Sequence, residues 1–172
     1  ARGPDDRRPA EKWGGYNQDF ADASTVYTHE EVEMLPHDDW LTNSIEDRTH
    51  ASRQLLIFDL DVYKAGEDFD GDRVGVPANT PVVKSQSGGY HVYFVVVSPT
   101  RGQESDFEFN QRLPFDIDIR GEYVKHHVVA PNDVPGVSSG YEIVEDESIQ
   151  HVFDPGDAAR QITIDGEQAI YH

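Results

Sequence analysis

Aspartates recur two residues apart inside two otherwise apolar strings, Phe58-Asp59-Leu60-Asp61-Val62 and Phe115-Asp116-Ile117-Asp118-Ile119-Arg120-Gly121. Side chains of an extended strand alternate faces, so Asp59 and Asp61 share one side while Phe58, Leu60 and Val62 share the other. The same parity sets Asp116, Asp118 and Arg120 against Phe115, Ile117 and Ile119. If the two strands are neighbours, their carboxylates converge. Like charges at that range repel unless a cation sits among them. The cation implied is hard, Mg²⁺ or Mn²⁺, held by one or two carboxylates together with substrate phosphates. Asp59, Asp61 and Asp118 are the expected ligands. Asp116 has the parity of Asp118 and is the alternative third ligand; Asp118 is preferred because it directly precedes Ile119-Arg120-Gly121.

Between these strings lies Ser87-Gly88-Gly89-Tyr90-His91-Val92-Tyr93-Phe94. A loop of Ser87, Gly88 and Gly89 lets backbone amides approach phosphate oxygens with no Cβ in the way. The strand after it places His91, Tyr93, Val95 and Val97 on one side and Tyr90, Val92, Phe94 and Val96 on the other. An imidazole thus heads the row, where it could donate a hydrogen bond to a triphosphate. Lys84, Ser85 and Arg120 are further phosphate contacts, the guanidinium suited to a two-oxygen grip and the ammonium acting as a point charge.

The order of these strings is an acidic strand, a Ser-Gly-Gly-x-His turn leading into a Tyr-Phe strand, then Asp-Ile-Arg-Gly followed by Val128-Val129-Ala130-Pro131. It resembles the bifunctional primase-polymerase (prim-pol) domain of the archaeo-eukaryotic primase superfamily, from Leu55 to about Tyr141, where Gly140-Tyr141-Glu142 is similar to the family's usual ending. Three motifs in order are more specific than any one alone. The chain departs from the family pattern at Glu122 to His127 and at Pro131-Asn132-Asp133. The resemblance implies that Asp59, Asp61 and Asp118 bind catalytic metals and that Ser87 and His91 hold the phosphates of an incoming nucleotide. It also implies a primase-type palm preceded by a small α/β unit. The activity implied is that of a DNA primase/polymerase, a nucleotidyltransferase adding nucleotides to a 3′-hydroxyl by two-metal catalysis in replication of a plasmid, virus or integrated element. The implied partners are a single-stranded DNA template and nucleoside triphosphates. With no Walker A string in the chain, a replicative helicase would be separate.

Two other classes stand beside this one. A phosphatase of the haloacid dehalogenase type also places Asp-x-Asp after an apolar strand, but it needs a small β-branched residue where Tyr63 stands. An acidic protein of the same fold that binds nucleic acid or replication proteins without catalysis is the other. The run Glu67 to Asp72 has its glycine too early for an EF-hand and reads as an acidic surface loop. His126 and His127 are adjacent, face opposite ways on a strand and are left out of the site.

The net charge of −19 opposes nucleic-acid binding, because phosphate backbones normally demand a basic surface. At about 1 M salt the Debye length falls to roughly 3 Å, so an acidic surface no longer repels DNA at a distance. Acidity with few lysines resembles the proteins of salt-accumulating archaea, and a halophilic archaeal host is expected. No cysteine is present, which excludes disulfides and thiolate metal sites. No run is long enough to span a membrane, and the opening residues lack a secretory apolar stretch, so a cytoplasmic location is expected.

Residues 1–12 are charged and proline-bearing and are expected to form a flexible tail, with 13–172 a single catalytic domain. Thr28 and Glu31 form a capping-box signature for a short helix that Pro36 ends. A hairpin is expected to turn at Gly88-Gly89, a helix around Glu104 to Arg112, two strands joined near Gly121, and a last hairpin at Asp165-Gly166. Beyond Pro135 the rest reads as loops and short strands. The architecture expected is α+β: a mixed or largely antiparallel sheet with the acidic cluster on one face and helices on the other.

Overall fold

The computed structural model describes residues 40–41, 53–97, 107–121, 128–129 and 140–171. The tail at 1–12, the capping-box helix near Thr28, the expected α/β unit and the pair His126-His127 lie outside them. Two long strands dominate, β2 (Arg53–Leu60) and β5 (Tyr90–Val97), after a short β1 (Trp40–Leu41). Both long strands are rich in Val, Ile, Leu and aromatic residues, which fit a pleated, buried surface. They pair antiparallel over their full length, Asp59 opposite His91 and Leu60 opposite Tyr90.

Around this pair the main sheet has six strands among the described residues. On the free edge of β2 lies β6 (Ile117–Arg120). The other edge of β5 is shared by β4 (Val82–Lys84), opposite Tyr90–Val92, and by β9 (Gln150–Val152), opposite Phe94–Val96. Strand β8 (Glu142–Glu145) pairs with β4. Every contact in this sheet is antiparallel except β5 with β9, as the mixed or largely antiparallel expectation holds. A smaller sheet joins β3 (Val74–Gly75), β10 (Thr163–Ile164) and β11 (Glu167–Gln168). Its β10–β11 hairpin turns at Asp165-Gly166, both at positive φ, as expected.

Strand parity divides the main sheet. Leu56, Phe58, Leu60, Val92, Phe94 and Val96 all belong to the larger core. There Phe58 meets Phe94, Phe107 and Phe109 edge-on with ring centroids 5.9, 6.1 and 5.4 Å apart. The helix α1 (Pro155–Ala159) adds Ala158 and Ala159 to this core. The opposite parity builds a smaller apolar cluster from Ile57, Val83, Tyr93 and Tyr141. That second parity also contains Asp59, His91, Asp118 and Arg120.

Two expectations change, one before Gly121 and one at the C-terminal end. No helix forms over Phe107–Arg112: Phe109 bridges to Ile170, Phe107 and Phe109 both pack on Phe58, and the Asn110 side chain accepts a hydrogen bond from the Arg112 amide in a turn. A strand stands on either side of Gly121, β6 lying on β2 and β7 (Val128–Val129) pairing with β1. The C-terminal part holds α1 as well as short strands, started by Asp154 as N-cap with Pro155 in the first turn.

Candidate active site

The three sequence strings meet at one end of the main sheet. Register places Asp59 directly between Asp118 on β6 and His91 on β5, and His91 in turn opposite Val83 on β4. The row Asp118–Asp59–His91 therefore crosses three adjacent strands, where facing Cβ atoms are about 4.5–5.5 Å apart. One register step away lie Arg120, opposite Ile57, and Tyr93, also opposite Ile57.

The strand β2 ends at Leu60, one residue before Asp61. Asp61 instead precedes a 3₁₀ turn (Val62–Ala65), and its amide donates to the Asp116 carbonyl at 3.0 Å. The Lys64 ammonium, one turn on, lies 2.6 Å from Asp61 and 2.9 Å from Asp116. These two carboxylates, the Asp61 one first, hold the Lys64 ammonium well above its ordinary pKa. Asp116 is thus tied to Lys64 and is 69% exposed, while Asp118 faces Asp59.

The glycine-rich turn is pressed against this end. The amide of Gly88 donates to the Ser85 carbonyl (2.9 Å), the amide of Gly89 to the Ser85 hydroxyl (2.9 Å), and the amide of Ser85 to the Gly89 carbonyl (2.8 Å). A Cβ at Gly89 would stand 2.1 Å from the Leu60 carbonyl oxygen, so only glycine lets the turn approach β2 just before Asp61. Ser87 sits half-buried within the turn, whereas Lys84, exposed at the end of β4 and opposite Tyr90, takes the parity of the other sheet face and does not join the site.

Positive charge is already arranged on the acidic row. Arg120 donates from Nη2 to Asp118 at 2.8 Å, and its Nε lies 3.5 Å from Asp59. His91 is 4% exposed, with Nε2 3.4 Å from Asp59 and its ring 5.5 Å from that of Tyr141. His91 Nδ1, Tyr93 Oη and Arg120 Nε are buried with no hydrogen-bond partner. Three polar atoms left unpaired on one face of a sheet are uncommon in a purely structural surface. Burial pushes the Tyr93 phenol up from its ordinary pKa, with the Asp59 charge adding to the effect.

The family model for the N-terminal domain of bifunctional DNA primase/polymerases matches residues 3–158. The chain belongs to that family. A DNA primase/polymerase type of activity, with DNA and nucleotides as substrates in general, comes with the prim-pol assignment. Neither a curated protein nor a solved structure matches the chain significantly. No helix among the described residues is long and apolar enough to cross a membrane.

Asp59, Asp61 and Asp118 offer only oxygen donors on or beside one sheet end, the donor type that hard divalent ions take. Among the described residues no three His, Cys, Asp or Glu side chains are grouped closely enough to hold an ion as they stand. The carboxylate oxygens are instead turned to Arg120 and Lys64. Sequence reasoning missed Lys64 and Tyr93. Lys64 was legible as the cation three residues after Asp61, whereas the unpaired Tyr93 hydroxyl has no sequence signal.

Proposed function

We propose that this prim-pol domain is a template-directed nucleotidyltransferase that extends a 3′-hydroxyl with nucleoside triphosphates. The observation that carries this reading is the Asp118–Asp59–His91 row across β6, β2 and β5, with the Ser85–Gly89 turn packed beside it. A phosphatase of the haloacid dehalogenase type needs a small β-branched residue where Tyr63 stands.

Asp59, Asp61 and Asp118 would hold Mg²⁺ or Mn²⁺. Such ions, when bound, lower the pKa of an attacking hydroxyl and stabilise the charge on a leaving pyrophosphate. The chain's own groups do the positioning. The Ser87 hydroxyl would face the triphosphate, while the Gly88 and Gly89 amides are spent on Ser85 and only shape the turn. The unpaired His91 Nδ1 would be a further phosphate contact in the tautomer that protonates it, and Arg120 offers a two-oxygen grip on phosphate. The 3′-hydroxyl would attack the α-phosphate, giving its proton to solvent water, while the bond to the β-phosphate breaks and pyrophosphate departs, so no side-chain base is required.

The net charge of −19 supports a working medium of high salt, in which the domain would serve replication in a halophilic archaeon, its plasmid or its virus, alongside a separate helicase. Incubation with a primed single-stranded template, labelled dNTP or NTP, and Mg²⁺ or Mn²⁺ in concentrated KCl tests the assignment. A lengthened product supports it. Phosphate release from simple monoesters without extension assigns a phosphatase instead, and binding of DNA with neither reaction assigns a non-catalytic protein.

A further inference from the structure

We propose that Arg120 is a built-in counter-cation that competes with the divalent ion for Asp118 and Asp59 and is displaced when the ion binds. This rests on the reading that these two aspartates are metal ligands.

Like charges placed directly opposite on adjacent strands destabilise a sheet. Asp59 and Asp118 are so placed, and Arg120, two residues beyond Asp118 on the same side of β6, reaches both. Its hold is uneven. Nη2 makes a short charged hydrogen bond to Asp118 Oδ2, 2.8 Å, whereas Nε stands 3.5 Å from Asp59 Oδ2 and makes no hydrogen bond, although it is buried. A buried donor left unpaired is costly, so the guanidinium is fixed firmly to one carboxylate and loosely to the other. A guanidinium does not lose its proton in a protein, so it gives up these oxygens only by moving away. Its side chain is 31% exposed, which leaves it a route toward solvent or toward a phosphate. Arg120 faces Oδ2 of both aspartates, and a hard cation that takes those same atoms has to displace it.

Calorimetric titration with Mn²⁺ alone, without nucleotide, tests the competition. Arg120→Gln should bind Mn²⁺ roughly fivefold or more tightly than the unsubstituted protein, and should melt lower without added metal but gain more on adding it. Arg73→Gln removes an equal charge from the pair with Asp165, in the smaller sheet, and should stay within about twofold. Unchanged or weaker Mn²⁺ binding in Arg120→Gln, or equal tightening in Arg73→Gln, overturns the proposal. If Arg120→Gln does not fold, the Arg120 Nε–H resonance of the unsubstituted protein decides: a shift on adding Mg²⁺ supports displacement, and an unmoved signal overturns it. Absence of Mn²⁺ binding in the unsubstituted protein would instead remove the metal-ligand reading, and the inference with it.

Discussion

Asp59 and Asp118 stand directly opposite one another on adjacent antiparallel strands, and the guanidinium of Arg120 spans the pair. Asp116, two residues earlier, is taken by Lys64 instead. Lys64 holds Asp61 as well, so what separates the two β6-side aspartates is register: Asp118 stands opposite Asp59 and Asp116 does not. Asp118→Asn should lower nucleotide addition by roughly a hundredfold or more, the scale of losing several kcal/mol of metal-assisted stabilisation. Asp116→Asn should stay within a few-fold. Primer-extension rates of the two variants at matched metal concentration check this, and equal losses would assign both residues to the ligand set.

Gly89 sets how closely the Ser85–Gly89 turn approaches β2. Gly89→Ala pushes a methyl group against the Leu60 carbonyl, a backbone atom that cannot swing aside. Overpacking of this kind typically costs about 1–3 kcal/mol. Denaturant melts should show that loss, and nucleotide affinity should fall further than the stability change accounts for. Gly88→Ala is strained for a different reason, its positive φ, since its Cβ would have open space around it.

The Tyr93 hydroxyl is buried without a hydrogen bond, so Tyr93→Phe should change stability at neutral pH by no more than about 1 kcal/mol. Its raised pKa makes the difference depend on pH. In the unfolded chain the phenol ionises near pH ~10, while in the folded protein it keeps its proton to higher pH. Between those values the folded state binds more protons, so stability is fully present below about pH 10 and falls as pH rises beyond it. Urea melts across the alkaline range should show a steeper decline for the unsubstituted protein than for Tyr93→Phe. Parallel curves would contradict the burial of an unpaired phenol.

Phe58 anchors the strand that carries Asp59. It is fully buried and touches Phe94, Phe107 and Phe109. Phe58→Ala should cost about 3–5 kcal/mol, the range for truncating a buried aromatic residue. Thermal or urea unfolding measures it. Tyr63→Ala, at a side chain 48% exposed just beyond the same strand, should cost far less.

The acidic row was legible because a strand has a period of two, which sets Asp59 against Phe58 and Leu60, His91 against Tyr90 and Val92, and Asp118 against Ile117 and Ile119. Parity alone could not show where β2 stops. Asp61 follows the alternation but leaves the strand, because its amide bonds to the Asp116 carbonyl and the chain turns into a 3₁₀ segment. The helix expected near Arg112 failed for a related reason. Phe107 and Phe109 are two apart, the strand spacing, and their packing on Phe58 overrides local propensity. The α1 start was written plainly in Asp154-Pro155, an N-cap followed by a residue suited to the first turn. The pairing of Arg120 with Asp118, and the loose approach to Asp59, depend on side-chain rotamers that no spacing rule encodes.

Substitution of Asp59, the residue flanked by both Asp118 and His91, bears most directly on the central claim. Primer extension by Asp59→Asn should be compared with the unsubstituted protein at equal Mn²⁺ and equal folded fraction. A loss of roughly a hundredfold or more with unchanged melting behaviour is the predicted result. Extension at an undiminished rate would contradict it and place the chemistry elsewhere in the chain.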